Sequence, residues 1–259
     1  MKKIATLLFL SLLAFQSRAD NADTLSIVSY NLMVFKNNPA YPDGNYRVVA
    51  KVLQSLRPDV VALQELDSTA VRTKKVYQLK RLSKFTGWNY RYASTIPFQG
   101  GSYGIGITSP HSIIRSSSYY LTSGRERRAF LIAEFAKYVV VCTHLDLDTA
   151  ISKVQAREIT DKVRSLYGSS PKPVFLAGDL NSTPGSATMA AFREDWVTLS
   201  SPLPSFPADA PNTCIDYILM LNKGDTCEVL LSEVVNDSDV GNMAVESDHR
   251  PIKVKVVIR

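Results

Sequence analysis

Short apolar runs alternate with amphipathic stretches along most of the chain. A short apolar run bounded by turn residues predicts a buried β-strand, and apolar residues that recur every three or four positions predict a helix with one buried face. The pattern predicts helices over residues 48–56, 70–86, 150–167 and 185–193. It predicts single strands over residues 25–30, 60–65, 89–94, 103–108, 112–120, 129–136, 138–144, 173–178 and 252–258. Residues 214–232 are expected to form a hairpin that turns at residues 222–225.

The order of these elements indicates an α/β fold. Two β-α-β passages occur together with several hairpin-like pairs, and sheets built in this way are mixed. One sheet would hold this many strands only with difficulty. Two mixed β-sheets packed face to face, with helices on both outer faces, would bury all of the apolar stripes. We therefore predict a four-layer α/β/β/α sandwich, with no internal repeat and no domain boundary.

Polar side chains stand in or beside six of these apolar segments. Burying a carboxylate, an amide or an imidazole costs kilocalories unless the group has a partner, so six such groups are not expected by chance. We expect them to meet in one site: Asn31, Glu65, His144, Asp179, Asp216 and His249.

The segment 173–184 shows most clearly how a strand could deliver such groups. Its apolar strand ends at Gly178, which is expected to let the backbone turn sharply. Asp179 and Asn181 then stand at the C-terminal end of the strand, where open α/β sheets bind ligands. An ordinary turn before a helix is the alternative, because Asp and Asn both favour such corners.

The motifs around these residues resemble those of the endonuclease/exonuclease/phosphatase superfamily, the DNase-like enzymes. They are, in order, Tyr30-Asn31, Leu63-Gln64-Glu65, Thr143-His144-Leu145, Gly178-Asp179-Leu180-Asn181, Ile215-Asp216-Tyr217 and Ser247-Asp248-His249-Arg250-Pro251. The resemblance covers about residues 25–258 and implies the same four-layer sandwich, with the active-site loops along one edge. The stretch 78–106 is similar to an exported bacterial branch of the superfamily.

The resemblance implies catalytic roles for five residues. Asp179 matches the residue that takes a proton from, or orients, the attacking water, and Asn181 matches the amide that helps to hold it and the phosphoryl oxygen. His249 matches the histidine that stabilises the phosphate or serves as general acid. Asp216 matches the buried acid that fixes the tautomer of this histidine. His144 matches a second histidine, prominent in the DNase and sphingomyelinase branches.

The resemblance also implies a divalent metal ion. Glu65 matches the metal carboxylate, and hard cations such as Mg²⁺ prefer carboxylate ligands. Asn31 matches the asparagine that touches the metal or the phosphate, and Asp248 matches an acid that binds the metal directly or through water. Mg²⁺ is therefore the expected cofactor, with Mn²⁺ as a substitute.

Three more residues are candidates for substrate binding. Tyr103 stands where family members use a polar or aromatic residue near the phosphate. Arg127 or Arg128 could reach the substrate from a predicted turn. Met33 stands where abasic-site endonucleases carry an additional acid, which makes that branch a poorer match.

The N-terminus has the pattern of an export signal. Two lysines precede an apolar run over residues 4–15, and small residues stand three positions and one position before a cleavage site after Ala19. We predict a secretory signal peptide at 1–19 and a catalytic domain at 20–259, located in the periplasm or outside the cell. An uncleaved anchor is the alternative. Cleavage removes three of the 30 basic residues and none of the 24 acidic ones, so the net charge falls from +6 to +3.

The sequence therefore predicts an exported, Mg²⁺-dependent phosphoesterase. Phosphodiesters of nucleic acids or phospholipid headgroups are the first substrates expected, hydrolysed by in-line attack of water. The alternatives are a phosphomonoesterase that acts on a phosphorylated sugar, inositol or lipid, and a catalytically silent protein that binds a phosphate ligand. We expect a monomer with no membrane segment after signal removal. The three cysteines suggest no disulfide framework.

Overall fold

The computed structural model describes residues 23–36, 38–224 and 227–258. The predicted signal peptide and Asp225 of the predicted turn lie outside these described residues. The helices are α1 (Tyr46–Ser55), α2 (Gln78–Thr86), α3 (Thr149–Tyr167) and α4 (Ala187–Arg193). The strands are β1 (Asp23–Asn31), β2 (Val60–Ser68), β3 (Asn89–Phe98), β4 (Gly101–Ser109), β5 (Arg115–Tyr120), β6 (Ala129–Glu134), β7 (Val139–His144), β8 (Val174–Asp179), β9 (Trp196–Thr198), β10 (Asp216–Leu221), β11 (Glu228–Val234) and β12 (Ile252–Ile258).

Within the described chain, the strands form two sheets of six. The first sheet has the order β11-β12-β1-β2-β4-β3, and the second sheet has the order β5-β6-β7-β8-β10-β9. Each contains one parallel pair joined through a helix: β1 and β2 through α1, and β7 and β8 through α3. The other pairs are antiparallel. Both sheets are mixed, as predicted.

The apolar side chains form the three layers of contact that a four-layer sandwich needs. One buried cluster lies between the sheets and includes Ile27 of the first and Phe175 of the second, both fully buried. A second cluster joins the first sheet to α1 and α2, and a third joins the second sheet to α3 and α4. Burying one such side chain is worth about 1.5–3 kcal/mol. The predicted α/β/β/α architecture is confirmed.

The predicted hairpin over residues 214–232 is wrong. Strand β10 pairs with β8 and β9 in the second sheet, whereas β11 pairs with β12 in the first sheet. All six residues of β10 are buried, which requires a neighbour on each side and a cover on each face. The residues of β11 are largely exposed or half-buried, as befits the edge of a sheet. The chain therefore passes from one sheet to the other between them.

The predicted helix over residues 70–86 is shorter than expected. A 3₁₀ turn occupies Val71–Thr73, and α2 begins at Gln78. Lys74 and Lys75 have φ angles of 53° and 56°, which a right-handed helix does not accommodate. The helix ends before Gly87, as predicted, with that glycine in the left-handed region.

Gly178 serves a different purpose from the one predicted. It lies inside β8, where a Cβ atom would stand 2.1 Å from the carbonyl oxygen of Thr143 on β7. The glycine thus allows close strand packing. The turn comes three residues later, at Asn181, whose φ angle is 48°.

The cysteines are all free, in agreement with the sequence. Cys142 and Cys214 are buried, and Cys227 is half-buried. Burial raises the pKa of the Cys142 thiol to about 12, so this thiol stays protonated and unreactive. None of the described helices combines the length and the apolar character needed to cross a membrane.

Candidate active site

Strand register brings the predicted polar residues together at one edge of the sandwich. In the second sheet, Asp179 at the end of β8 is the direct partner of His144 at the end of β7 and of Asp216 at the start of β10. In the first sheet, Asn31 ends β1 beside the segment of β2 that carries Glu65. The amide nitrogen of Asn31 joins the two sheets, because it donates to Glu65 Oε1 at 3.2 Å and to Asp179 Oδ2 at 3.1 Å.

Glu65 is aimed into the site by an irregularity in its strand. The register between β2 and β4 shifts between Leu63 and Leu66, and Glu65 itself has a φ angle of 56°. Such a bulge redirects a side chain that regular pleating would point elsewhere. Burial raises the pKa of Glu65, the hydrogen bond from Asn31 opposes that rise, and the nearby charge of Asp248 adds to it.

Asp179 is the centre of the hydrogen-bonding array. Besides Asn31, its carboxylate accepts from the backbone N–H of Asn181 at 2.9 Å. The Nε2 atoms of His144 and His249 lie 3.5 and 3.6 Å from Oδ2. The residue is 1% exposed. Burial raises the pKa of Asp179 to about 7, and the charge of Asp216 contributes to this rise.

His249 and Asp216 form a buried pair. The Nδ1 atom of His249 lies 2.8 Å from Asp216 Oδ2, which also accepts a hydrogen bond from Ser205 Oγ at 2.5 Å. Burial lowers the pKa of His249, but the charge and hydrogen bond of Asp216 outweigh it, and the pKa rises to about 10. The ring is therefore a cation that presents Nε2–H to Asp179.

His144 is held in the opposite charge state. Burial lowers its pKa well below 6.5, and the positive charges of Arg128 and His249 lower it further. A neutral imidazole and an imidazolium thus flank the same carboxylate. Two similar groups whose pKa values are driven apart by their surroundings are typical of acid–base sites.

Asn181 and Asp248 complete the predicted set. The side-chain amide of Asn181 donates to the carbonyl oxygen of Leu145 at 3.0 Å, which ties the loop after β8 to the loop after β7. Asp248 is half-buried, and its Oδ1 atom lies 3.3 Å from Ser247 Oγ. The same hydroxyl donates to the carbonyl oxygen of Asn31 at 2.7 Å, so the motif before β12 is fixed to the end of β1.

The structure separates the two candidate arginines. Arg128 is 7% exposed, and its charge acts on Glu65, Tyr103 and His144. Its Nη1 atom lies 3.0 Å from Glu126 Oε1, whereas Nε has no hydrogen-bond partner among the described residues. Arg127 is exposed, donates to the carbonyl oxygen of Thr95 and stacks 4.1 Å over the ring of Tyr120. The structure therefore brings Arg128, but not Arg127, to the site.

Tyr103 lies at the wall of the site on β4. Burial raises the pKa of its phenol, and the charges of Glu65 and Glu126 raise it further. The phenol therefore remains a neutral donor. Beside Arg128, a cavity of about 570 Å³ opens between the loop before β6 and the loop after β7.

Comparison with known proteins identifies the family. The profile of the Endonuclease/Exonuclease/phosphatase family matches residues 28–249. The chain belongs to this family. No curated protein matches the chain significantly.

Solved structures of the family share the fold at low identity. A family protein from Bacteroides thetaiotaomicron has a TM-score of 0.73 and 19% identity, over 92% of this chain and 98% of the other. A mannosyl-6-phosphatase from the same organism has a TM-score of 0.71 and 19% identity, over 90% of this chain and 100% of the other. The catalytic domain of human nocturnin, with bound sulfate, has a TM-score of 0.65 and 12% identity, over 90% of this chain and 94% of the other.

The donor set suits a divalent metal ion, which the family implies. Glu65 fits best, because its carboxylate is largely buried with one amide as hydrogen-bond partner, so that a cation would stabilise its charge. Spacing alone would also allow a metal at Asp179, Asp216 and His249, whose donor atoms lie within 4.8 Å of one another. Metal binding at that position would require His249 to give up its proton.

Two supporting residues were not predicted from the sequence. Ser205, which bonds Asp216, lies in a loop with no apolar periodicity around it. Glu246 is 3% exposed and accepts hydrogen bonds from the side chains of Asn38 and Asn45. It stands directly before the Ser247–Pro251 motif, and this position could have marked it as a candidate supporting residue. These contacts anchor the loop that carries His249.

Proposed function

We propose that the protein is a metal-dependent phosphoric ester hydrolase that acts by in-line attack of water on phosphorus. The observation that carries the proposal is the array around Asp179. A buried carboxylate stands between a neutral and a charged imidazole, next to the amide of Asn31 and the carboxylate of Glu65. Phosphoryl transfer depends on positioned donors and cations around the phosphate, and this site supplies both.

The residues divide the work of such a reaction. Asp179 orients the attacking water and accepts its proton. The charged His249, held by Asp216, donates to a phosphoryl oxygen, and the unpartnered Nε of Arg128 is a second cationic donor. Asn181 keeps Asp179 in place through its backbone N–H. Preorganised donors of this kind often supply the largest part of catalysis.

Glu65 would hold the metal ion, and Asn31 and Asp248 are the further residues that could contribute to its binding. Mg²⁺ is the cofactor that carboxylate and amide oxygens favour, and Mn²⁺ can replace it. When bound, the ion neutralises charge on the phosphate. In the structure the nitrogen of the Asn31 amide faces the two carboxylates, while its oxygen accepts from the backbone N–H of Met33. Asn31 thus positions Glu65 even where it is not itself a ligand.

Phosphodiesters are the first substrate class, in nucleic acid or in a phospholipid headgroup. A phosphomonoester is the second candidate, and the likeness to a mannosyl-6-phosphatase favours it. A silent binding protein would not need both the Asp179 array and the Asp216–His249 pair.

The test is a substrate screen with residues 20–259. The purified protein is incubated with Mg²⁺ or Mn²⁺ and bis-p-nitrophenyl phosphate, p-nitrophenyl phosphate, plasmid DNA, RNA or sphingomyelin. We expect hydrolysis that EDTA abolishes and that Asp179→Asn lacks. Hydrolysis that persists in excess EDTA would contradict the proposal, as would the absence of hydrolysis of every substrate.

Export by the predicted signal peptide is part of the proposed function. Cleavage after Ala19 would give a mature chain that begins at Asp20 and is recovered from the periplasm or the medium. N-terminal sequencing of native material gives the answer. A sequence that begins at Met1, or recovery with integral membrane proteins, would contradict export by cleavage.

A further inference from the structure

One guanidinium beside the site is fixed in place although it takes no part in the proposed reaction. Arg72 forms a fork with Asp67, because its Nε and Nη2 atoms each lie 2.8 Å from one oxygen of that carboxylate. The Asp67 side chain is fully buried, and Thr73 Oγ1 donates to it at 3.1 Å. A two-point contact of this kind fixes both the position and the plane of the guanidinium.

Two aromatic rings lie close to the same guanidinium. The guanidinium carbon of Arg72 lies 4.3 Å from the ring centre of Phe98 and 5.4 Å from that of Tyr103. Even so, 34% of the side chain is exposed, and no described residue accepts a hydrogen bond from Nη1. Arg72 therefore has a positively charged edge that is fixed in position and exposed to solvent at the rim of the site.

The position of this edge relative to the site follows from β2 and β4. Asp67 stands two residues after Glu65 on β2 and pairs with Tyr103 on β4. Tyr103 contacts Arg72 with its ring, and its phenol is influenced by the charges of Glu65 and Arg128. Arg72 thus lies beside Tyr103 at the wall of the site, and its charge interacts with that of Glu65.

The surroundings of Arg72 are basic. Lys36 Nζ donates to its carbonyl oxygen at 2.6 Å. Lys36, Lys74 and Arg81 line a cavity of about 280 Å³ beside the same loop, where Asp43 is the acid and is already paired with Lys74. The cavity beside Arg128 is different, since three carboxylates and two arginines line it. An anion would be favoured on the Arg72 side.

We infer that Arg72 binds a second phosphate group of the substrate, next to the phosphate that is hydrolysed. This inference rests on the proposed function and deepens it, because it restricts the substrate to phosphate esters that carry another phosphate. A nucleotide 3′-phosphate and a phosphorylated inositol headgroup share this chemistry.

The experiment compares substrates that differ only in the second phosphate. Thymidine 5′-(p-nitrophenyl phosphate) is measured with and without a 3′-phosphate, and calorimetry compares thymidine 3′,5′-bisphosphate with thymidine 5′-phosphate. A charged hydrogen bond predicts a preference of about tenfold or more in kcat/KM and in affinity for the forms with a second phosphate. Inositol 1,4-bisphosphate and inositol 1-phosphate form the second calorimetric pair, and the pair with the larger preference identifies the source.

The variants separate binding from folding. In Asp67→Leu/Arg72→Met, both partners become apolar, so that no buried carboxylate is left unpaired. We expect this variant to lose the preference, because the KM for the substrate with a 3′-phosphate rises while kcat does not fall. The rate on the substrate without a 3′-phosphate should stay within about twofold. Arg72→Lys keeps the charge without the fork and should keep part of the preference. Arg157→Met, at an exposed position on α3, is the control.

The outcomes distinguish this inference from the proposed function. A wild-type protein that hydrolyses the simple ester but shows no preference in either nucleotide measurement, and none for the inositol bisphosphate, overturns the role of Arg72 alone. A preference that survives in Asp67→Leu/Arg72→Met overturns it as well. If no ester is hydrolysed, the proposed function fails, and the calorimetric comparison still decides whether Arg72 binds a second phosphate.

Discussion

The charge on each of the two buried imidazoles depends on the charged groups next to the ring. His249 has Asp216 at Nδ1, and this carboxylate keeps the ring protonated against the effect of burial. Among the described residues, no carboxylate bonds the Nδ1 atom of His144, and the charge of Arg128 lowers the pKa of this ring. The same residue type therefore supplies a cation on one side of Asp179 and a neutral ring on the other.

This arrangement predicts strong coupling between Asp216 and His249. Because both act on one contact with the phosphate, Asp216→Asn and His249→Ala should each lower kcat by about 10²-fold or more. The double variant should be little worse than His249→Ala, since groups that act as a unit are not additive. Steady-state kinetics and melting curves test this. Losses that multiply in the double variant, or an unchanged rate in folded Asp216→Asn, would contradict the coupling.

Glu65 should dominate metal binding. Glu65→Gln keeps the shape and the Asn31 contact but removes the charge. The loss of a direct ligand should weaken Mn²⁺ binding by more than about tenfold, because even the residues behind a ligand matter by that factor. Electron paramagnetic resonance titration measures free Mn²⁺, and Glu194→Gln, at an exposed position, is the control. Equal Mn²⁺ affinity in wild type and Glu65→Gln would place the metal elsewhere.

At this scale the sequence predicted the main contacts because each polar residue stands in or beside an apolar strand. Asn31, Asp179 and Asp216 could be expected to meet for that reason alone. Which way a side chain points was harder to predict, since Arg127 and Arg128 are neighbours in the loop before β6 and the path of that loop decides which of them is buried. Ser205 could not be predicted, because its contact with Asp216 depends on how a loop folds back.

At the scale of elements, the close contact of β7 and β8 determines where Asp179 lies. Gly178→Ala would place a methyl group 2.1 Å from the Thr143 carbonyl oxygen, so the strands would have to separate. Overpacking of this kind costs about 1–3 kcal/mol or more. We expect a lower melting temperature and a lower kcat together. Gly185→Ala, where no atom lies within 4 Å of the new Cβ, is the matched control and should change neither property. Equal melting temperatures for Gly178→Ala and wild type would refute this.

Strand order was the part of the fold that the sequence predicted least well. The apolar runs of β10 and β11 are close in the chain and resemble a hairpin. The two strands differ in burial, because β10 is covered on both faces whereas β11 is an edge strand. Burial depends on how the complete chain folds, so the local sequence does not reveal it. The start of α2 was mispredicted since the residues before it fold back to hold Asp67.

A polar cluster at the other end of the second sheet makes stability depend on pH. Glu134 on β6 bonds Arg115 on β5, Lys172 before β8 and Tyr167 at the end of α3. Burial raises the pKa of Glu134, but the hydrogen bonds and charges of Lys172 and Arg115 lower it by more, to below its usual 4.5. The folded protein therefore binds the proton less readily than the unfolded chain does.

The contribution of Glu134 is thus fully present above about pH 4.5 and is lost as the pH falls through the lower, folded value. Glu134→Gln should be less stable than wild type at pH 7, and the difference should shrink towards pH 3.5. Urea unfolding at pH 7, 5.5 and 3.5 measures it. A difference that stays constant with pH would show that the carboxylate charge is not responsible.

At the scale of the whole molecule, the two sheets differ in which parts of the chain supply their strands. The second sheet is built from one uninterrupted stretch, from β5 to β10. The first sheet takes its first four strands from before that stretch and its last two from after it. The active site needs both sheets and also the loop before β12, which carries Asp248 and His249.

This division sets an order of events while the chain is being made. The strands from β5 to β10 can assemble as soon as they emerge, but β1 waits for β12, its antiparallel neighbour, until the end of the described chain. Until then β1 is an open edge, able to pair with another chain. A nascent chain stopped at residue 221 would hold a finished second sheet, four of the six strands of the first and no His249. An unfinished copy could therefore aggregate, but it would lack the His249–Asp216 pair of the proposed active site.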